Sequence, residues 1–426
     1  MTVSLREATR VWARIGLSSF GGPAGQIALM HRVLVQELGW ISETRFLHAL
    51  NFCMLLPGPE AQQLATYVGW YLHGVRGGLL AGGLFILPGA CVILGLSYLY
   101  ASAGSIAWVQ GIFFGLKPAI VIIVLEALLR IGRRSLRSGL HVLIALAAFV
   151  AMFALSVPFP FVVLGSGVLG AVLFRGVRRP ESETPEKAGS ALSASLRAAV
   201  TFGALWLLPV AALIVALGMD DVYTKLAIFF SKMAVVTFGG AYAVLSYVSQ
   251  EVVGGFGWLT AGEMIDGLAL AETTPGPLIL VLKFVGFVAA YRNPGELPAP
   301  LAGLLGSLLT LWVTFVPCFL WIFAGAPHLD RLRRNRALTG ALSAVTAAVV
   351  GAIANLTLWF SIHTIFEQSH PVRLKLVSIE LPIWESAQPL AVGIALVAAL
   401  LLLGFRRSLL LTLAVCAALG VATRLL

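Results

Sequence analysis

Long apolar stretches separated by short polar loops make up most of this chain. A helix needs about 20 apolar residues to cross a bilayer, and in hydrocarbon only helices and closed barrels satisfy their backbone groups. Nine stretches run almost unbroken: 78–101, 106–130, 138–155, 157–175, 198–217, 299–326, 337–360, 388–404 and 408–424. Four more, at 11–36, 46–72, 226–249 and 264–291, are apolar but interrupted by Gly or Pro. The pattern predicts an all-α polytopic membrane protein with about 10–13 membrane segments, and it leaves open whether the broken segments span or re-enter.

The breaks in the first half of the chain recur in the second half at a constant offset. Phe20-Gly21-Gly22 recurs 218 residues later as Phe238-Gly239-Gly240, and Pro57-Gly58-Pro59 recurs as Pro275-Gly276-Pro277. Gly39-Trp40 and Gly257-Trp258 share the same offset. Helix breaks at matching places in two halves are typical of secondary transporters built from internal repeats.

The basic loops predict that the two repeats lie in opposite orientations. An insertion near 292–300 changes the offset to 229 and aligns Lys117 with Thr346. Four arginines between 130 and 137 then match the stretch 359–366, which has no Lys or Arg, whereas the neutral loop 102–107 matches four arginines between 331 and 336. Because basic loops stay on the cytoplasmic side, equivalent loops lie on opposite sides, as in an inverted-topology repeat.

This alignment divides the chain into five parts. Residues 1–175 form the first repeat with two extra spans, and 176–197 form a polar cytoplasmic linker. A connecting span, 198–217, leads to the second, inverted repeat at 222–365. The remainder, 366–426, is predicted to be a periplasmic stretch followed by two spans.

The composition of the chain limits the classes of function that it can have. The chain is 59% hydrophobic and 11% charged, with a mean hydropathy of +0.94. Its net charge of +10 lies in short loops between spans, which indicates membrane orientation and not nucleic-acid binding. The four cysteines show no CxxC spacing, so no metal site is predicted. With no P-loop, HExxH or GxSxG motif, we expect neither an enzyme nor a cofactor.

The repeated breaks predict a site for an anion. Proline is favoured at the first position of a helix, so Pro59 and Pro277 are expected to begin new half-helices, and Pro23 one more. Converging helix N-termini present unpaired N–H groups and positive dipole ends to an anion. The substrate-binding residues predicted at the breaks are Ser19, Phe20, Gly21, Gly22, Pro57, Gly58, Pro59, Phe238, Gly239, Gly240, Thr274, Pro275, Gly276 and Pro277.

Ionisable residues inside apolar segments are costly and are functional candidates by default. Arg14 and Lys232 align at the 218 offset, and Lys117 lies in the middle of a segment. We predict that these three cations contact the substrate, with snorkelling to the interface as the alternative for Arg14. The candidates for proton coupling are Glu60, Asp266 and Glu272. Glu60 could instead serve only the dipole of its helix.

At these motifs the chain resembles the chromate ion transporter family in its long, two-domain form. The resemblance is carried by GLSSFGGPAG at 16–25, PGPEAQQLATYVGW at 57–70, GLKP at 115–118 and AETTPGP at 271–277. It implies efflux of chromate from the cytoplasm through the inner membrane, with sulfate as a competing anion. A homodimer is left open.

Energetics favour export over import. A dianion leaving a cell with a 100 mV interior-negative potential gains about 4.6 kcal/mol, enough for a roughly thousandfold gradient. Import of sulfate would require co-transported protons. A proton-coupled sulfate importer and an anion channel remain the alternative hypotheses.

Overall fold

A computed structural model describes residues 3–104, 106–174, 191–238, 240–328, 336–374 and 377–425. The described chain is predominantly helical, as the apolar pattern predicts. In chain order its α-helices are α1 Leu5–Leu17, α2 Gly22–His31, α3 Glu43–Cys53, α4 Glu60–Ala103, α5 Ala107–Ser135, α6 Gly139–Phe153, α7 Phe159–Leu173, α8 Ala191–Leu217, α9 Val222–Val236, α10 Ala241–Ser249, α11 Ala261–Thr273, α12 Val281–Arg292, α13 Ala299–Gly325, α14 Arg336–Ile365, α15 Pro389–Ala399 and α16 Leu409–Leu425.

Five of the described helices are long and apolar enough to cross a membrane. They comprise α4, α5, the stretch Leu192–Leu217, the stretch Ala299–His328 and the stretch Ala337–Ile365. Helices α6, α7, α15 and α16 are apolar but shorter. The all-α polytopic prediction is confirmed, while the orientation of the repeats stays a prediction. Residues 176–190 of the predicted linker and the arginines between 331 and 335 lie outside the described residues, whereas 191–197 form the start of α8.

The interruptions predicted from Gly and Pro occur where expected. Helix α1 ends at Leu17 and α2 begins at Gly22, with Pro23 in its first turn. The second interruption separates α3 from α4. Both recur in the second half, between α9 and α10 and between α11 and the 3-10 turn Leu278–Leu280. Helix α4 is itself broken at His73 and Gly74, which have non-helical backbone angles.

The repeated Gly-Trp pair ends two equivalent helices. Helices α2 and α10 each continue as a π-helical turn, at Arg32–Glu37 and Gln250–Gly255. Gly39 and Gly257 follow with φ of +60° and +63°, the left-handed conformation in which glycine commonly terminates a helix. The local geometry therefore repeats at the 218 offset along with the sequence.

A short β-hairpin was not predicted. Strands β1 Ser369–Leu374 and β2 Val377–Pro382 pair antiparallel, with Ser369 opposite Pro382. The alternation of Val372, Arg373 and Leu374 is too short to distinguish a strand from a polar loop in the sequence. A 3-10 turn, Trp384–Ser386, leads from β2 towards α15.

The described chain forms two compact units, and each draws on both sequence halves. The first unit contains 1–97, 171–241 and 274–340. The second contains 98–170, 242–273 and 341–426. Large apolar side chains fill the cores, among them Trp12 and Phe230 in the first unit and Phe159 and Phe360 in the second, each at most 1% exposed.

Candidate functional site

The broken segments of the two halves are joined to each other inside the first unit. The amide of Gly276 donates to the carbonyl oxygen of Ser19 over 2.8 Å. The amide of Gly58 donates to the carbonyl oxygen of Thr237, also over 2.8 Å. Ser19 and Thr237 are 218 residues apart, as are Gly58 and Gly276, so the two hydrogen bonds are equivalents. Each Pro-Gly-Pro loop is thus closed by the Phe-Gly-Gly segment of the other half.

Each Pro-Gly-Pro loop also packs against the other half. A Cβ at Gly58 would lie 3.0 Å from Cys318 Sγ, and a Cβ at Gly89 would lie 2.0 Å from the carbonyl oxygen of Pro275. Gly89 and Cys318 correspond at the 229 offset. Gly58 and Gly276 have φ of +118° and +98°, which L side chains rarely adopt. The sequence therefore needs glycine here for the backbone conformation as well as for space.

Two glutamines brace these loops through their side-chain amides. Gln26 Nε2 donates to the carbonyl oxygens of Gly276 (2.5 Å) and Ser19 (3.4 Å). Gln63 Nε2 donates to the carbonyl oxygen of Pro57 over 2.7 Å. Both glutamines are buried, and their Oε1 atoms have no hydrogen-bond partner among the described residues. Sequence reasoning gave neither glutamine a role, although Gln63 lies within the motif at 57–70, because a side chain that bonds to the backbone has no partner side chain for the sequence to indicate.

The geometry corrects two details of the predicted anion site. Helix α4 begins at Glu60, and Pro277 is the N-cap of the 3-10 turn, so Pro59 and Pro277 lie one residue before the position predicted for them. Pro277 keeps an extended ψ of 134°, which continues the loop instead of starting a turn. The amides of Gly58 and Gly276 are already bonded to carbonyl oxygens. An anion at these loops would have to use other N–H groups.

In the second unit, Lys117 forms an ion pair with a buried acid. Its Nζ lies 3.5 Å from Oδ2 of Asp266, and the side chains are 28% and 6% exposed. The Tyr100 hydroxyl donates to the same oxygen over 3.0 Å. The other oxygen, Oδ1, is buried without a partner among the described residues. Gly262, one turn before Asp266 on α11, makes room for the ammonium, because a Cβ there would lie 3.1 Å from Nζ.

Glu272 is the second buried acid of this unit. It is 4% exposed, and Oε1 accepts a hydrogen bond of 2.5 Å from the Tyr242 hydroxyl. Glu60 belongs to the first unit, in the first turn of α4, a position where a carboxylate interacts favourably with the helix dipole. Its Oε1 also lies 3.9 Å from where a Cβ at Gly240 would stand, so it faces the second Phe-Gly-Gly break.

The remaining predicted residues are placed as follows. Arg14 and Lys232 are exposed on α1 and α9 of the first unit, and Lys117 belongs to the second unit. Gly21, Gly22 and Gly240 all have positive φ. Phe20 and Phe238 are equivalents whose amides bond to residues two positions earlier, Ser18 and Val236. Thr274 is buried, and Gly239 lies outside the described residues.

Comparison with known proteins shows the family of this chain. The family described as "Chromate transporter" matches residues 6–171 and 224–421. The chain belongs to the chromate transporter family. It is 33% identical over 348 residues to a chromate transport protein of Pseudomonas aeruginosa, covering 81% of this chain and 78% of that protein.

Two other chromate transporter relatives match similar shares of this chain. A chromate transport protein of Cupriavidus metallidurans is 27% identical over 362 residues, 83% of this chain and 81% of that protein. A probable chromate transport protein of Synechococcus elongatus is 29% identical over 352 residues, 82% of this chain and 83% of that protein. No solved structure matches. Family and apolar helices together make the chain a multi-pass membrane protein.

Proposed function

We propose that this protein exports chromate from the cytoplasm across the inner membrane, with sulfate as a competing anion. The observation that carries the proposal is the position of Lys117. Its ammonium lies part-way along an apolar helix, beside one buried carboxylate, and remains 28% exposed. A cation held at membrane depth and still accessible is suited to bind an anion that crosses the bilayer. Family membership supports chromate as that anion.

The membrane potential is sufficient to drive this export. Chromate carries two negative charges near neutral pH, so outward movement across 100 mV gains about 4.6 kcal/mol. That gain sustains a gradient of about a thousandfold. Export therefore needs no second ion, although one would increase the gradient.

Proton antiport requires an acid that binds a proton in the empty carrier and releases it when the oxyanion binds. The Lys117–Asp266 pair does the opposite, because an oxyanion that takes the ammonium leaves a buried carboxylate unpaired and favours its protonation while the anion is bound. Asp266 would therefore carry a proton in the same direction as chromate. Glu272 is the candidate for antiport, since Tyr242 supplies only a neutral hydrogen bond and no counter-ion that the anion would remove.

Within the first unit, we assign the interlocked loops to contact with the anion. Irregular backbone at membrane depth occurs where it is buried in protein or lines a wet cavity. The exposed cations Arg14 and Lys232 lie on the helices that lead into the two Phe-Gly-Gly breaks. We assign them to attraction of the anion towards these breaks.

Flux in proteoliposomes tests the proposal. Vesicles carrying the purified protein are preloaded with radiolabelled chromate, and efflux is followed with and without an imposed interior-negative potential and external sulfate. We expect saturable efflux that the potential accelerates. Flux that does not saturate would indicate a channel, and inward sulfate flux that collapses with an uncoupler would indicate an importer.

A pair of lysine variants provides the control. Lys117→Ala should abolish efflux while the protein still reconstitutes. Lys225→Ala removes a partly exposed lysine whose partner is the fully exposed Asp220, and it should leave efflux unchanged. Equal efflux from both variants would remove Lys117 from the mechanism.

A further inference from the structure

A cavity in the second unit holds cationic groups that the sequence did not bring together. It has a volume of about 190 Å³. Lys117 of α5 lines it, together with His363 and Thr364 of α14 and Arg424 of α16. A single water needs about 10–15 Å³ of such space, so the cavity can hold an oxyanion together with several waters.

The three cationic groups are supplied from separate helices and face one carboxylate in the cavity wall. His363 Nδ1 lies 2.9 Å from the carbonyl oxygen of Trp359, and Nε2 lies 3.1 Å from a carboxylate oxygen of Glu380. Both partners are acceptors, an arrangement that favours the imidazolium form of the ring. The carboxylate in the wall belongs to Glu367, which is exposed.

Arg424 is the cation of this cavity that has no acidic partner among the described residues. Its guanidinium carbon lies 5.5 Å from the ring centroid of Phe114, a cation–π distance. The ion pairs of the described residues, which extend to 4.0 Å, do not include it. Thr364 adds a hydroxyl that is buried and has no hydrogen-bond partner among the described residues. A buried hydroxyl without a partner costs free energy unless something else binds it.

Close helix packing places Arg424 at the cavity. A Cβ at Gly420 would lie 2.2 Å from the carbonyl oxygen of Gly111, and a Cβ at Gly115 would lie 2.0 Å from the carbonyl oxygen of Cys416. Glycines spaced by four residues let membrane helices approach this closely. Arg424 lies one turn beyond Gly420 on α16, opposite the start of α5. Its guanidinium reaches the Phe114 ring, and Arg424 and Lys117 line the same cavity.

We propose that this cavity binds the transported tetrahedral oxyanion through Lys117, Arg424 and the Thr364 hydroxyl. The inference rests on the proposed function and adds its binding residues. Two cations from facing helices match the two charges of chromate or sulfate, and a bidentate guanidinium suits tetrahedral oxygens. Glu367 opposes the anion, so its removal should strengthen binding.

Equilibrium binding of radiolabelled sulfate to the purified full-length protein in detergent tests the site. Loss of a charge-assisted hydrogen bond corresponds to about tenfold or more in affinity. We expect at least that loss in Arg424→Gln, a smaller loss in Thr364→Val, partial recovery in Arg424→Lys, and tighter binding in Glu367→Gln. Arg407→Gln, an exposed arginine before α16, is the matched control and should bind as wild type.

The outcomes separate this proposal from the proposed function. Wild-type affinity in both Arg424→Gln and Thr364→Val overturns the cavity site, and saturable chromate efflux by the wild type would still support export. Binding that depends on Arg424 in a protein that moves no chromate supports the site and overturns the export. Displacement of sulfate by added anionic phospholipid would assign the cavity to a lipid headgroup and overturn the substrate assignment.

Discussion

Substitution of Gly89 tests whether α4 holds the second Pro-Gly-Pro loop in place. The Cβ of an alanine there would lie 2.0 Å from the carbonyl oxygen of Pro275, whereas real Cβ contacts stay beyond 3.0 Å. The loop must therefore retreat by at least about 1 Å, and that retreat breaks the 2.8 Å hydrogen bond from Gly276 to Ser19.

The expected loss in the free energy of unfolding can be estimated as a sum of three contributions. Overpacking a tight contact costs about 1–3 kcal/mol, and a lost buried hydrogen bond costs about 1–3 kcal/mol more. Alanine gains up to about 1 kcal/mol over glycine inside a helix. The net loss is therefore about 3 kcal/mol, which should lower the melting temperature by several degrees.

The matched control for Gly89→Ala lies six residues earlier on the same helix. A Cβ at Gly83 would meet nothing within 4 Å, so Gly83→Ala should be neutral or slightly stabilising. Both variants are heated in detergent, and the folded fraction is followed by size-exclusion chromatography; chromate efflux is measured in proteoliposomes. If Gly89→Ala melts and transports like Gly83→Ala, the contact between α4 and the loop does not hold the loop.

Three further predictions concern the second unit. Lys117→Met should lower the free energy of unfolding by about 3–5 kcal/mol because it leaves the buried Asp266 unpaired. Adding Asp266→Asn to this variant should raise the melting temperature again. Further destabilisation by the second change would contradict the pairing. Gly420→Ala should lower the melting temperature. Gly393→Ala is the control and should not lower it, because a Cβ there meets nothing within 4 Å. Equal melting temperatures of the two variants would argue against close packing of α16. Hydrogen bonds from His363 and Ser369 hold the pKa of Glu380 below its usual 4.5. The ionised Glu380 carboxylate therefore adds stability above pH 4.5, and this contribution is lost as the pH falls through the lower, folded pKa. A scan of melting temperature against pH should show a steeper acid loss in the wild type than in Glu380→Gln, and parallel curves would refute the linkage.

The sequence predicted where helices break better than it predicted which residues meet. Glycine and proline act locally, so the interruptions after Leu17 and Cys53 and their equivalents were readable from the chain alone. Tyr100 and Asp266 are 166 residues apart, and nothing local in either segment indicates the other. Arg424 has the same difficulty, because an arginine in the last turn of a helix is also explained by the helix dipole.

For Lys117, the sequence indicated the residue but not the partner with which it pairs. Its position inside an apolar segment marked it as functional, and the aligned Thr346 gave no partner for it. Asp266 was singled out separately as an acid within an apolar segment. Only the packing of α11 against α5, with Gly262 leaving room for the ammonium, joins the two.

The exchanged hydrogen bonds between Gly58 and Thr237 and between Gly276 and Ser19 have a consequence for assembly. Neither half alone contains both members of either bond. A fragment that ends before residue 190 would expose the amide of Gly58 in an apolar setting, where an unsatisfied amide is costly. Two fragments made together could restore both bonds without a covalent connection. A gene cut between the halves should therefore still yield a working transporter from co-expressed pieces, while either piece alone should be degraded.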